Sequence, residues 1–196
     1  VVFMVWGYYE YKKKVFSKEH DQEIKPNPVT WTLWAFGGAL STWTLFKSVA
    51  EDPFISSTPF VCMILSVWIV YHSFRAGKFQ KPEISDILIL LLDLTIILFW
   101  STNTHEFWWP GKGIVVVNII VQVDVLLTFL PIYRSAWSEG AEMPKPWMIW
   151  SVSYALMVVL TALRMDSYWE LLYSVNYLVL HFLVGVIAFF RRHRHT

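Results

Sequence analysis

The sequence is poor in cysteine and in charge. Its one cysteine, Cys62, excludes an intramolecular disulfide and a thiolate cluster that binds zinc or iron–sulfur. Charged residues make up only 16% of the 196 residues, and the basic and acidic ones nearly cancel to a formal net charge of +1. Proteins that bind nucleic acid present a strong positive field. We therefore expect no nucleic-acid partner.

Motifs that mark common catalytic sites are also missing. The sequence has no glycine-rich phosphate loop, no His-Glu-x-x-His zinc helix and no recognisable Ser–His–Asp arrangement. The last apolar run, Ser167 to Phe190, contains no lysine, which a retinal protein needs for its Schiff base. We therefore expect neither an enzyme nor a retinal protein, and we expect no cofactor and no metal.

Long apolar runs dominate the sequence, of which 56% is hydrophobic and 18% aromatic. A helix of roughly 20 apolar residues crosses a bilayer core about 30 Å thick. Six runs of this kind are Pro28 to Phe46, Pro53 to Phe74, Ile84 to Ser101, Gly113 to Tyr133, Pro146 to Leu163 and Ser167 to Phe190. A seventh, Val1 to Tyr11, would be only about 16 Å long as a helix, so we interpret it as the end of a first helix that starts before Val1. The sequence predicts an all-α polytopic membrane protein with seven transmembrane helices.

The basic residues provide a separate test of this count, because lysine and arginine collect in cytoplasmic loops. Threading the chain through seven spans puts 13 basic residues on one side and 3 on the other. The larger group is Lys12, Lys13, Lys14, Lys18, Lys25, Arg75, Lys78, Lys81, Arg134, Lys145, Arg191, Arg192 and Arg194, and the smaller group is Lys47, Lys112 and Arg164. The split predicts an outside N-terminus, a cytoplasmic C-terminus and an integral protein of the plasma (inner) membrane.

Two of the predicted helices begin with the same pattern, Pro-x-Pro followed by Trp-x-x-Trp. Trp31 and Trp147 are 116 residues apart, and so are Trp34 and Trp150. A three-helix unit that is repeated directly would insert upside down, so one further helix between the copies is needed to restore the orientation. The predicted units are residues 1–75 for the first repeat, 76–104 for the linker helix and 105–196 for the second repeat with its basic tail.

The stretch from Asp124 to Trp150 places an intramembrane acid before Pro131 and the second tryptophan pair. Together with the 3+1+3 plan and the outside N-terminus, this stretch resembles the PQ-loop and SWEET (MtN3-like) superfamily of small transporters, as a divergent bacterial-type member. The resemblance implies alternating access between the two units, with Pro131, at the place of the family's Pro-Gln pair, as a hinge. It also implies that Asn176, at the place of the asparagine in the family's Pro-Asn pair, contacts the solute.

Acidic groups inside the predicted spans are the first candidates for a functional site. An aspartate at the bilayer centre costs about 2.5 to 3.5 kcal/mol on insertion scales, so such a residue normally faces protein or water. Asp124 is the candidate proton-coupling residue, because a carboxyl group at this depth can exchange a proton and because the resemblance extends to transporters with an Asp in this helix. A structural hydrogen bond and direct solute contact are the alternatives. Asp93, on the linker helix, is expected to be mainly structural.

The remaining candidates line the predicted path. The expected pocket residues are Asn118, Gln122, Tyr154 and Asn176, and the expected cytoplasmic gate consists of Trp34 and Trp150. Packing or anchoring at the membrane interface is the alternative for the tryptophans. His181 is expected to be a packing residue, with proton exchange as its alternative.

These features predict a membrane transporter that moves a small polar solute by alternating access, with proton coupling as an option. Within transport, the alternative is a vitamin-precursor carrier of the nicotinamide-riboside type. Outside transport, the alternative is a membrane-embedded scaffold or sensor subunit. The expected partners are the lipid bilayer and the solute, and both a monomer and a homo-oligomer are compatible with the sequence.

Overall fold

The computed structural model describes residues 1–16, 26–48, 53–103, 113–139, 142–165 and 168–193. These ranges are helical apart from short turns, and they contain no β-strand. The α-helices are α1 (Val2–Val15), α2 (Pro28–Ser48), α3 (Pro53–Ala76), α4 (Ile84–Asn103), α5 (Gly113–Thr128), α6 (Leu130–Arg134), α7 (Pro144–Ala162) and α8 (Leu171–His193). The prediction of an all-α chain is confirmed for the described residues.

The predicted apolar runs and the observed helices nearly coincide. The helices α2, α3, α4 and α5 begin at the predicted residues, and α7 begins two residues early, at Pro144. A proline fits the first turn of a helix, where an N–H would have no partner inside the helix. The last run, which we expected to start at Ser167, becomes α-helical only at Leu171, after the 3-10 turn Tyr168–Glu170.

The predicted fifth helix is interrupted once. It consists of α5, which ends at Thr128, and α6, which begins at Leu130, and the π-helical turn Ser135–Glu139 follows directly. Pro131 explains the interruption, because it has no N–H to donate to the carbonyl four residues earlier and its ring crowds that carbonyl. The Thr128 hydroxyl donates a hydrogen bond to the Val125 carbonyl oxygen (2.8 Å) in the preceding turn. The helix therefore changes its geometry beside the predicted hinge.

Among the described residues, three helical stretches are long and apolar enough to cross a membrane, namely Ser56–Ala76, Ile119–Trp137 and Leu171–Arg192. Each of them exposes large apolar side chains, among them Ile64, Val123 and Phe182. Such surfaces suit a hydrocarbon environment better than water. The chain is therefore a membrane protein, and the count of seven spans stays a prediction.

The helices pack in two extensive pairs, α2 with α3 and α7 with α8. The helix α1 lies against α7 and also contacts α3, whereas α5 lies against α2 and also contacts α8. The helix α4 contacts α5 and α2. The predicted linker helix is therefore attached to both predicted units.

Ten of the described basic residues lie at one end of the bundle, which we call the basic end. The Lys78 ammonium there donates to the Val15 carbonyl oxygen (3.2 Å), and the Lys145 ammonium pairs with Glu10 Oε2 (3.0 Å). The described basic residues of this end are Lys12, Lys13, Lys14, Arg75, Lys78, Lys81, Arg134, Lys145, Arg191 and Arg192. Lys18, Lys25 and Arg194, which we predicted for the same side, lie outside the described residues.

Asp86 ties three segments together at the basic end. This residue of the first turn of α4 is fully buried, and its Oδ2 accepts hydrogen bonds from Asn27 Nδ2 (2.8 Å) and from the Glu83 backbone N–H (2.9 Å). Its Oδ1 accepts a hydrogen bond from Arg134 Nη2 of α6 (2.9 Å). The Asn27 side chain in turn caps α2 by accepting the Val29 N–H (3.0 Å). The start of α4 is therefore fastened to the start of α2 and to the end of α6.

We expect Arg134→Ala to lower the free energy of unfolding by about 3 kcal/mol, because it leaves the buried Asp86 carboxylate without a charged partner. Lys145→Ala is the matched control, since Lys145 is 59% exposed in its ion pair with Glu10. Exposed ion pairs contribute about 0 to 1 kcal/mol. Reversible unfolding by SDS in mixed micelles measures both losses. Equal losses in the two variants would show that Asp86 does not depend on Arg134.

Candidate functional site

The centre of the bundle is an aromatic cluster built on the two Trp-x-x-Trp patterns. Trp31 and Trp34 of α2, and Trp147 and Trp150 of α7, are each at most 3% exposed. A spacing of three residues puts the two tryptophans of a pair on the same face of their helix. Within a pair, the ring centroids are 5.1 Å apart in α2 and 5.0 Å apart in α7, in edge-to-face orientation.

The two tryptophan pairs also contact each other. Trp34 meets Trp147 with centroids 5.7 Å apart, and Trp31 meets Trp150 at 6.4 Å. The first tryptophan of each pair thus contacts the second tryptophan of the other. Edge-to-face ring pairs contribute about 0.5 to 1.5 kcal/mol each beyond the burial of their area. These contacts hold α2 and α7 together at the centre.

Neighbouring helices add further rings to the aromatic cluster. Tyr8 of α1 lies 5.0 Å from Trp150 and 5.7 Å from Trp31, measured between ring centroids. Phe129, at the junction of α5 and α6, lies 4.9 Å from Trp34. The predicted hinge residue is two positions from Phe129, so a bend at the α5–α6 junction would move a ring of the cluster.

His181 of α8 lies among these rings. Its imidazole centroid is 4.9 Å from that of Tyr154, 5.5 Å from Trp147 and 5.6 Å from Trp34. Its Nδ1 lies 2.8 Å from the Tyr177 carbonyl oxygen one turn earlier, and it must be the donor because a carbonyl oxygen only accepts. In this conformation the His181 imidazole packs against aromatic rings.

Tyrosine side chains extend the aromatic cluster on two sides. The predicted pocket residue Tyr154 is fully buried and stacks on Tyr177 with centroids 5.0 Å apart. Its hydroxyl lies 3.4 Å from the Tyr173 hydroxyl. On α1, the Tyr8 hydroxyl lies 2.8 Å from the Ser66 hydroxyl of α3. These buried hydroxyls therefore find partners on neighbouring helices instead of water.

Side chains fill the centre of the bundle, since the ring centroids given above are 4.9 to 6.4 Å apart, which is the range of direct ring contact. Two pockets in the described part of the chain lie elsewhere. One, of about 410 Å³, is at the basic end and is lined by Trp137, Val186, Ile187, Phe190 and Arg191. The other, of about 170 Å³, is lined by Val1, Phe3, Thr58, Ser153, Leu156, Met157, Leu160 and Arg164. The four tryptophans are at most 3% exposed, so water does not reach the aromatic cluster in the described conformation.

Two of the predicted pocket residues, Gln122 of α5 and Asn176 of α8, contact each other. Asn176 Nδ2 donates to the Gln122 backbone carbonyl oxygen (2.9 Å) and to its side-chain Oε1 (3.2 Å). This amide contact joins α5 to α8, with Gln122 buried and Asn176 half-buried. The side chain of Asn118, the third predicted amide, lies outside the described residues.

Asp124 lies on another face of α5 and meets Asp93 of α4. The two residues are 5% and 2% exposed, and their carboxyl groups are within hydrogen-bonding distance of each other. Among the described residues, Asp124 Oδ1 and Asp93 Oδ2 are buried without a hydrogen-bond donor. Asp93, which we expected to be a structural residue of the linker helix, is therefore the partner of the predicted proton-coupling residue.

The predicted site residues thus fall into three groups. Trp34, Trp150 and Tyr154 belong to the aromatic cluster, Gln122 and Asn176 form the amide contact, and Asp124 pairs with Asp93. Pro131 is buried at the start of α6 and borders the aromatic cluster through Phe129. Sequence reasoning missed the roles of Tyr8, Phe129 and Asp93. A signal existed for Asp93, because it was one of two carboxylates that we identified inside the predicted spans.

Comparisons with known proteins give no relative. The chain matches no protein-family model, no curated protein and no solved structure. The functional assignment therefore depends on the chemistry and geometry of the chain's own residues.

Gly7 of α1 allows Trp150 to pack at the centre, because a Cβ at this position would overlap the Trp150 indole. We expect Gly7→Ala to lower the free energy of unfolding by about 1 to 3 kcal/mol, the usual cost of overpacking. At Gly37 the nearest neighbour of an added Cβ is the Tyr177 hydroxyl at 4.0 Å, so Gly37→Ala should stabilise α2 by up to about 1 kcal/mol. SDS unfolding compares the two variants. A neutral Gly7→Ala would mean that Trp150 is not held against α1.

Proposed function

We propose that the chain is a membrane transporter that moves a small polar solute by alternating access between two helical units. The observation that carries this proposal is the reciprocal contact of the two tryptophan pairs at the centre of the bundle. A carrier of this kind needs two similar units that face each other and buried polar groups near the path between them. The aromatic cluster, with the amides and acids beside it, supports the proposal on both points.

Helix packing supports two units of the same construction. If α1, α2 and α3 correspond to α5, α7 and α8, the contact of α1 with α7 has its counterpart in the contact of α5 with α2. The contact of α1 with α3 likewise corresponds to that of α5 with α8, and the α2–α3 pair corresponds to the α7–α8 pair. The 116-residue offset between the tryptophan pairs gives the same correspondence. On this basis α4 is the linker helix of a 3+1+3 plan of the PQ-loop and SWEET type.

The side chains at the centre favour a solute that has a flat ring and polar substituents. Trp34, Trp150 and Tyr154 present ring faces on which such a solute would stack. Gln122 and Asn176 would offer it hydrogen-bond donors and acceptors once their mutual contact opens. The nicotinamide-riboside type of solute, our alternative within transport, has this chemistry.

Opening at the basic end would separate α2 from α7, and Trp34 and Trp150 would act as the gate. Pro131 suits the proposed hinge because a bend there breaks no helical hydrogen bond of its own nitrogen. The ion pair between Lys145 and Glu10 would break at the same time at little cost, because its Lys145 side chain is 59% exposed.

The filled centre of the described conformation favours a second candidate, a membrane-embedded scaffold or sensor subunit that transports nothing. In such a protein the rings, amides and acids would only lock the helices together. The two candidates differ in whether water ever reaches the aromatic cluster.

The carrier and the scaffold can be distinguished by whether a water-soluble reagent reaches position 177. We expect Tyr177→Cys, in a Cys62→Ser background and reconstituted in lipid vesicles, to react with a membrane-impermeant methanethiosulfonate reagent from either side. If the open conformations are populated to about 0.1 to 10%, the reaction should be roughly 10 to 1,000 times slower than that of the exposed control Leu163→Cys.

Ile69→Cys is the buried control, because Ile69 of α3 is fully buried. Its thiol should stay unmodified. If Tyr177→Cys is as unreactive as Ile69→Cys from both sides, the carrier proposal is wrong and the scaffold or sensor is favoured.

A further inference from the structure

Two buried acids meet where α4 packs against α5. Asp93 and Asp124 are 2% and 5% exposed, and each has the other's carboxyl group within hydrogen-bonding distance. The Tyr177 side chain of α8 is a further titratable group that interacts electrostatically with both carboxyls. Among the described residues of α2, α4, α5 and α8, no basic side chain acts on either acid.

Two ionised carboxylates cannot satisfy each other, because a carboxylate only accepts hydrogen bonds. Asp93 Oδ2 and Asp124 Oδ1 are buried and have no donor among the described residues. Burial of an unpaired charge is costly, and two like charges in contact add repulsion. One proton removes the repulsion and one of the two charges, and the protonated carboxyl group becomes a hydrogen-bond donor to the remaining carboxylate.

We propose that Asp93 and Asp124 form one proton-binding site, in which the two carboxyl groups share a single proton between α4 and α5. The site takes up one proton to give one carboxylic acid and one carboxylate. It releases that proton to give two carboxylates, which repel each other across the α4–α5 interface.

This site would give the linker helix a part in transport, a step that rests on the proposed function. Loss of the proton would push α4 away from α5, and the α5–α6 junction carries Phe129 against Trp34 in the aromatic cluster. The charge state of the pair would in this way be linked to the closing of the centre. Binding of the proton itself does not depend on transport.

Infrared spectroscopy of the whole chain in lipid vesicles, with ¹³C-labelled aspartate side chains, tests the shared proton directly. Protonated and ionised carboxyl groups have separate C=O stretching bands, and the label separates aspartate from glutamate. We expect the wild-type protein at neutral pH to show the band of one protonated aspartate per chain. A band with the intensity of two protonated aspartates would mean that each acid holds its own proton. The absence of the band would mean that the pair holds no proton. Either result would overturn the proposal.

Single substitutions add a second test. In Asp93→Asn or Asp124→Asn, the new amide can donate to the remaining carboxylate, which then needs no proton. We therefore expect the protonated band to fall at least tenfold in both variants. If both variants kept the full band, the proton would reside on another aspartate. Glu10→Gln, which removes an ion-paired acid of the basic end, should leave the band unchanged.

A bound metal cation is the competing occupant of such a pair. Exchange of sodium chloride for choline chloride at constant ionic strength should leave the band unchanged. A band that appears only in choline chloride would assign the pair to sodium and overturn the proposal. The thiol-access experiment on Tyr177 and this infrared experiment fail independently, so a wrong carrier assignment and a wrong proton site are distinguishable.

Discussion

Lipid offers no hydrogen-bond partner, so a polar group in the interior of this membrane protein depends on the chain itself for one. Most of the structure's long-range polar contacts follow from this constraint. Asp86 is satisfied by Asn27 and Arg134, and the Asn176 amide is satisfied by Gln122. Each of these contacts joins different helices, so the need to satisfy polar groups also fixes how the helices pack.

The aromatic cluster fills the space between helices that are apolar on all sides, which is a second constraint on the structure. Helices without a strongly polar face have no sequence signal that tells which face is inside. Large rings at a three-residue spacing supply that signal, because they pack best on one another. The reciprocal contacts of Trp31 with Trp150 and of Trp34 with Trp147 therefore set the rotation of α2 and α7. The tyrosines and His181 then pack around them.

The sequence predicted the helices well, since apolar runs bounded by proline, glycine or charge leave little choice in a bilayer. The run from Pro28 became α2, and the prolines before Trp147 became the first turn of α7. The tryptophan repeat identified four members of the aromatic cluster. The repeat does not encode the tertiary packing that buries these four tryptophans in the core.

The polar partners could not be predicted in the same way. Asp93 and Asp124 are 31 residues apart on different helices, and whether they meet depends on the rotation of α4, whose apolar surface gives no preferred face. The same holds for Asp86 and Arg134, which come together only when α4 starts beside the end of α6. The interruption at Phe129 follows from Pro131, whereas the contact of the Phe129 ring with Trp34 follows from the packing of α5 on α2.

The central claim is that two units, which meet at the aromatic cluster, move against each other. Its most direct test is the distance between spin labels on Phe74→Cys at the end of α3 and Arg192→Cys at the end of α8, in a Cys62→Ser background in lipid vesicles. Pulsed electron–electron double resonance measures this distance over a range of pH. We predict two populations of distances whose ratio changes with pH. A single narrow distance at every pH would contradict the account.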